Sequence, residues 1–475
     1  MNRGLLAAVA VVAALFVAPA AHAGGPAMSL GAAEDVVRSV SPTEAKANMT
    51  LFRLAGFRAV RITSIWAPGE TAPTTAELDV LRNVAAAANV SGVRIYLSVY
   101  HAGSRTTPLT PEARGELADY AASIARSLPS IRDVILGNEP NLNRFWLPQF
   151  NPDGSGASAP AYLELLATAY DRLKAVTPAL KVYGGALAPR GVDRPGTGRD
   201  TISPTRFLRE LGAAYRVSGR TLPVMDAFAF HPYADNSSKS PDTRPADPDH
   251  LGLIDYERLV GLLAEAFDGT AQPGSTLPIL YDEFGVETIV PSEKASAYTG
   301  TEPTTTRPVD EPTQAAFYRR ALQLAYCQPN VVGMLLFHSH DEPALAAWQS
   351  GVYYADGTPK TSLSAVREAL AATRGGSIAR CGPPLVVKPT VSFAPRMVSM
   401  ALRCDLDCVY RARLVRLPGT ATTAAASGRG KAETPLRVSL KRKVRPGRYR
   451  LEVSLVHPVN PGPSVLRRSA PFRLP

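Results

Sequence analysis

Two glutamates sit where apolar runs end: Glu139 in "VILGNEPN" (134–141) and Glu283 in "PILYDEF" (278–284). Each follows another polar residue, Asn138 and Asp282 respectively. A strand that stops at a turn accounts for either stretch alone, because Gly, Asn and Pro punctuate loops. Together they form a pair that suits acid–base and nucleophilic chemistry; Arg61 is carried within another such run, and His101, His231 and Tyr233 lie at or near the ends of others. One carboxyl would hold a proton for a leaving oxygen, and the other would be ionised to attack. Two charges about 5.5 Å apart repel by roughly 3 kcal/mol at an effective dielectric of about 20. That is about two pKa units, enough to split the roles. Arg61 would favour the ionised member.

Such a pair works only if the chain brings the run ends together. Seven helix-like segments are each followed by a strand-like run: 57–66, 93–100, "VILGNE", 181–187, 225–232, 278–284 and 331–339. A short first strand near Ala27–Leu30 and a last helix at about 360–374 complete eight βα units. The runs are almost continuously apolar, as in parallel strands covered on both faces. This predicts a (β/α)8 TIM barrel, whose chemistry sits at the C-terminal strand ends. A doubly wound sheet would show a glycine-rich phosphate loop after its first strand, and the sequence has none. Glu139 and Glu283 then fall on strands four and seven, across the mouth from each other. That is the arrangement glycosidic bond cleavage needs, with retention at a spacing of about 5–5.5 Å.

After about Gly375 short alternating runs separated by Pro and Gly replace the βα pattern, predicting a small all-β, Ig-like sandwich. The expected domains are a barrel over 24–376, a linker over 377–390 and the β domain over 391–475, with a polar loop at 419–434. Residues 381–475 hold 18 Lys+Arg against 4 Asp+Glu, whereas the rest of the chain has 34 against 37. The formal charge of +11 therefore belongs to the tail. Its density at 441–450 suits an anionic cell-wall polymer or simply a solvated sheet face. No nucleic-acid-binding motif accompanies it.

Arg3, an apolar run from Leu5 to Val17 and Ala21-His22-Ala23 read as a signal peptide, residues 1–23. A secreted protein without stable membrane insertion is the expectation. Export permits disulfides, and Cys404–Cys408 with Cys327–Cys381 is the favoured pairing of the four cysteines. The histidines His231, His338 and His340 match no metal-ligand spacing, and no metal or cofactor is expected.

"RITSIW", "GNEPN", "HPY", "YDEFG" and "GVYYADGTPK" follow one another in an order that resembles the clan A retaining glycoside hydrolases, the cellulase-like family 5 and family 39 enzymes. The resemblance covers residues 28–374. It implies Glu139 as acid/base, Glu283 as nucleophile, and Asn138 as a ligand of the sugar 2-hydroxyl. Arg61 and Tyr233 would orient the nucleophile, and His231 and His101 would shape the pocket. Trp66, Phe145 and Trp146 would offer stacking faces. The alternatives are a barrel-bottom partner for Arg61, a core role for His101, and loop packing for the aromatic residues. The sequence departs from the family at strand eight, where "LLFHSHDEP" has Phe337 and His338 in place of a pocket-floor tryptophan, and whether Trp348 further on replaces it is left open. The substrate that the resemblance implies is a β-linked carbohydrate. A non-catalytic carbohydrate- or wall-binding barrel is the alternative function.

Overall fold

The computed structural model describes residues 24–376, 390–394, 397–403, 408–431, 435–441, 445–456 and 465–474. Residues 1–23 and most of the expected linker, 377–389, lie outside them, as do Cys381 and Cys404. The expected disulfide pairing therefore falls partly outside the described residues. Among those residues there is no free cysteine.

Eight parallel strands close into a barrel in chain order: β1 (Ser29–Ala33), β2 (Ala59–Trp66), β3 (Arg94–His101), β4 (Asp133–Leu136), β5 (Lys181–Leu187), β6 (Ala227–Phe230), β7 (Ile279–Phe284) and β8 (Val331–Phe337). Ala33 pairs with Arg61 on one side and Phe337 on the other, which closes the ring. The helices α1 (Pro42–Leu54), α2 (Thr75–Ser91), α3 (Pro111–Ser127), α4 (Ser158–Val176), α5 (Pro204–Val217), α6 (Tyr256–Phe267), α7 (Glu311–Tyr326) and α8 (Ser362–Arg374) alternate with them. Ser41, Thr74, Thr110, Ser203 and Asp310 cap five of these helices through their side chains, satisfying amides left open at the first turn. β1 begins two residues later than the sequence suggested, because Ala27 belongs to a 3-10 turn.

Strand alternation sorts side chains into two cores. Val60, Ile62, Val134 and Leu136 face the helices in the large outer cluster. Ala59, Ile135, Ala227, Ala229 and Leu280 fill the barrel interior with Tyr96 and Tyr183. The same alternation lifts Arg61, two residues on from Ala59, into the upper lumen.

The C-terminal strands are β9 (Thr390–Ala394), β10 (Met397–Arg403), β11 (Cys408–Leu417), β12 (Thr422–Gly430), β13 (Pro435–Lys441), β14 (Gly447–Val456), β15 (Val465–Arg468) and β16 (Phe472–Leu474). One antiparallel sheet runs β13-β10-β9 and the other β12-β11-β14-β15, with β16 also on β14. Val398 and Leu440 from the first share an apolar cluster with Leu414, Tyr449 and Leu451 from the second. The polar loop expected at 419–434 is corrected: residues 422–430 form β12, which pairs with β11 and buries Ala424. Its small residues carry little apolar signal, so the pairing supplies what the sequence pattern does not show. On this sheet the buried Glu452 receives Arg413, Arg450 and Arg468. Part of the basic surplus is thus neutralised within the sheet itself.

Candidate active site

The approach to Glu139 is built by its neighbours. β4 stops at Leu136, and Gly137 takes φ +84°. A Cβ there would come within 2.8 Å of the Tyr162 ring. The Tyr162 hydroxyl, reaching over from α4, donates to the Leu136 carbonyl (2.6 Å) and accepts from the Gly185 amide (2.8 Å). Glu139 itself sits at φ +42°, a left-handed conformation that a non-glycine residue adopts only when its surroundings impose it. Its amide donates to the Ala186 carbonyl of β5 at 2.8 Å, and its carbonyl accepts from Leu142 at 2.9 Å. This aims the carboxyl into the barrel mouth.

Glu283 arrives on β7 and is gripped from two sides. Arg61 donates one guanidinium nitrogen to Glu283 Oε1, and the Tyr233 hydroxyl donates to Oε2 at 2.8 Å. The other Arg61 terminal nitrogen donates to Asn138 Oδ1 (2.9 Å) and Ser98 Oγ (3.2 Å). Its Nε makes a 3.5 Å ion pair with the fully buried Asp282. His231, also fully buried, joins the two acids: Nδ1 lies 3.0 Å from Glu139 Oε1 and Nε2 lies 3.3 Å from Asp282 Oδ2. Burial opposes charge on this imidazole. The Glu283 and Asp282 carboxylates, with hydrogen bonds to Asp282 and Glu139, outweigh burial and push it up to about 10. Desolvation likewise works against ionised Asp282, but His231 and Arg61 hold it below the usual range.

One oxygen of Glu139, one of Glu283 and a His231 nitrogen lie within 4.8 Å of one another. Three such atoms could in principle hold a cation. His231 Nδ1 lies 3.0 Å from Glu139 and 3.4 Å from Glu283, and when the ring is protonated it donates to these carboxylates and offers an ion no lone pair. His338 and His340 do not join this group. Their Nδ1 atoms meet the Ala33 carbonyl and Ser339 Oγ.

The carboxyl pair opens on a cavity of about 420 Å³, the size of a small-molecule site. No family model matches the sequence, and no curated protein matches it. Solved structures do. A GH5_18 protein from Streptomyces cattleya, solved with Manb1-4GlcNAc, aligns over 73% of this chain and 81% of its own at 14% identity and TM-score 0.51. A glucosidase from Croceicoccus marinus aligns over 89% and 94% at 12% identity and TM-score 0.50. The likeness is to glycoside hydrolases, and it is one of fold. Against a Bacteroides uniformis beta-glucuronidase 2 mutant (12% identity, TM-score 0.45), 93% of the chain aligns but spans only 45% of that protein's length.

Of the residues singled out from the sequence, Glu139, Glu283, Asn138, Arg61, Tyr233 and Phe145 all line this cavity, and His231 lies directly beneath. Three do not: strand parity turns Trp66 and His101 away, and loop packing buries Trp146. Trp66 alternates out of phase with Arg61, so it is fully buried toward the helices, its indole donating to the Glu70 carbonyl at 2.7 Å. His101 faces the same way. It is 3% exposed, with Nδ1 2.9 Å from the Gly103 carbonyl. Trp146 packs edge-on between His101 and Tyr162 and is 1% exposed. None of the three presents a face to the cavity. The residues one position away do so instead: Tyr100 rather than His101, and Phe145 rather than Trp146.

Sequence reasoning left Trp348 undecided and missed Glu34. Trp348 lies on the cavity wall, its ring 4.9 Å from that of Tyr233 and 5.2 Å from that of Phe337. It therefore supplies an aromatic wall beside the end of β8. Glu34, just past β1, accepts from Ser339 and the His340 amide and so ties β1 to the segment after β8. The signal for Glu34 was its position right after a strand, but that strand was placed too early.

Proposed function

We propose that this protein is a retaining glycoside hydrolase that cleaves β-type O-glycosidic bonds by double displacement. The observation that carries the reading is the close approach of the Glu139 and Glu283 carboxylates at the barrel mouth, within 4.8 Å between oxygens. That spacing suits a nucleophile and an acid/base better than the roughly 6.5–9.5 Å separation that makes room for a water. The surroundings of the two acids are unequal. Glu283 has Arg61 and Tyr233 donating to both oxygens, which favours a carboxylate. Glu139 has neither of these donors and meets His231 Nδ1 at 3.0 Å, so the two acids are unequally partnered and suited to different roles.

In this reading Glu139 protonates the leaving oxygen while Glu283 attacks the anomeric carbon. Glu139 then takes a proton from the water that releases the sugar. Asn138, fixed by Arg61, offers its amide N–H to a sugar hydroxyl. Residues 1–23 support export, and no helix among the described residues is long and apolar enough to cross a membrane. N-terminal sequencing of the protein from culture medium tests that part, with Gly24 as the expected first residue.

The test of mechanism is a panel of activated aryl β-glycosides with wild type, Glu139→Ala and Glu283→Ala, with and without azide. Both substitutions should lower turnover by at least about 10³-fold. Azide should restore Glu139→Ala with a β-glycosyl azide product and Glu283→Ala with an α-azide. Wild-type rates in both variants would make the glutamates structural and overturn the mechanism.

A further inference from the structure

The chemistry at the barrel mouth makes no use of the basic C-terminal strands. Their register gathers arginine on one face. On β11 and β14, Arg413 stands opposite Glu452, Val415 opposite Arg450 and Leu417 opposite Arg448. Glu452 in turn faces Arg468 on β15, and Arg448 faces Arg473 on β16. Arg411 lies two residues before Arg413 on β11. Paired residues share a side of the sheet, as do residues two apart along a strand, so these six arginines form one surface. All but the half-buried Arg450 are exposed. The other side of the same strands is apolar, with Ala412, Leu414, Leu451 and Val453 in the core.

Glu452 is the one acid among the described C-terminal residues; Asp405, Asp407 and Glu433 lie outside them. It is 3% exposed and accepts from Arg413 at 2.9 Å, Arg450 at 2.7 Å and Arg468 at 3.0 Å. The three guanidinium groups are thereby held in place. Arg411, Arg448 and Arg473 meet no acid among the described residues. The barrel treats its surface arginines differently. Arg82 pairs with Asp79, Arg172 with Asp119 and Arg209 with Glu265. Like charges left together on a sheet cost stability, and a polyanion laid across them would offset that cost.

We infer that this arginine face docks the protein on a carboxylate-bearing polysaccharide, an extended polymer of uronic acid units. An open sheet face gives a small ion no enclosure, whereas Arg448 and Arg450, about 7 Å apart along β14, and strands about 4.8 Å apart suit a repeating anion. The guanidinium fork matches a carboxylate, and Glu452 already binds in that way. Tyr410, Tyr449 and Phe472 alternate to the opposite side, so the face offers unpaired bases no ring to stack on. Glu139 and Glu283 play no part in the inference, which stands or falls apart from the glycosidase reading.

The test is calorimetric titration of the full chain with polygalacturonate and with its methyl ester, which keeps the backbone and loses the charge. Wild type should bind the acid form, more weakly at about 300 mM than at about 50 mM NaCl, and should not bind the ester. Arg411→Gln, Arg448→Gln and Arg473→Gln together spare the partners of Glu452 and should weaken binding at least about tenfold. Replacing Arg82, Arg172 and Arg209 by Gln removes the same net charge from the barrel and should change affinity less than about threefold. Equal losses from the two triple variants would mean that net charge alone is felt and would overturn the face as a docking surface. Equal binding of acid and ester by wild type would overturn it too, even if the sheet variant misfolds. Anionic phosphatidylglycerol vesicles or duplex DNA binding as tightly as polygalacturonate would overturn the assignment to a polysaccharide.

Discussion

The barrel holds an arginine–carboxylate pair at each end, and at the mouth a second glutamate faces the pair. At the base, Arg94 meets Asp133 with two parallel 2.7 Å hydrogen bonds, and the Tyr183 hydroxyl donates to the same carboxylate at 3.0 Å. One cation serves one anion in the fork geometry arginine prefers. At the mouth, Arg61 is divided among Glu283, Asp282, Asn138 and Ser98. Its carboxylate partner also faces Glu139 across a cavity. An ion pair inside a barrel is therefore not by itself a sign of function. What marks the mouth is a surplus of acids over cations, held close together and left in reach of a ligand.

The largest expected effect comes from breaking the mouth pair. Arg61→Met leaves Glu283 and Asp282 buried with less compensation, so urea unfolding should show a loss of about 3–5 kcal/mol. Aryl glycoside turnover should fall at least about 10³-fold with it. At the base, Asp133→Asn keeps the shape but removes the charge. It should cost about 1–3 kcal/mol and leave turnover within about twofold. Equal losses of turnover from the two substitutions would erase the distinction between the ends.

Titration separates the two ends further. His231 is raised from an ordinary value near 6.5 to about 10 in the folded protein. A raised cationic group stabilises the fold fully below its unfolded pKa and loses that contribution as pH climbs through the folded value. Stability should therefore decline between about pH 6.5 and 10, by about 1–3 kcal/mol, and in urea midpoints His231→Asn should flatten the part of that decline above about pH 8, where Glu287 has already titrated. Asp133→Asn should leave the slope as it is, since Arg94 stays charged across this window. A wild-type midpoint that is flat over the range would show that His231 is neutral in the cluster.

These contrasts also explain what the sequence could and could not disclose. The alternation of helix-like and strand-like segments made the barrel legible, and Glu139 and Glu283 stood out because acids at the ends of apolar runs are costly without a purpose. Arg61 and Tyr233 were legible for the same reason. Trp66 and His101 were misplaced because sequence shows that a ring is near a strand end, whereas parity decides which side of the barrel it faces, and Trp146 because loop packing leaves no pattern in the sequence. One residue of phase moves a side chain from cavity to core. β12 was read as a loop because Thr, Ala and Ser pair by backbone hydrogen bonds that leave no apolar pattern. Glu287 gave no signal, because its burial depends on Ser237 and Val309, 50 and 22 residues away along the chain.

Glu287 sharpens the comparison with the smallest effect and the opposite sign. Its carboxyl is raised from about 4.5 to about 8 by burial and by Glu302. The folded chain then holds a proton that the unfolded chain has released, so stability falls as pH rises from about 4.5 through about 8. Glu287→Gln removes that titration. The variant should match wild type at pH 4 and exceed it by about 1–2 kcal/mol at pH 9. Asp133→Asn should destabilise at pH 9, because that carboxylate is fully partnered. A carboxylate that the fold has fully partnered costs stability when it is removed, and one buried beside a second acid returns stability when its titration is removed. If Glu287→Gln instead destabilises at pH 9, Glu287 belongs with Asp133 among the carboxyls that the fold has partnered.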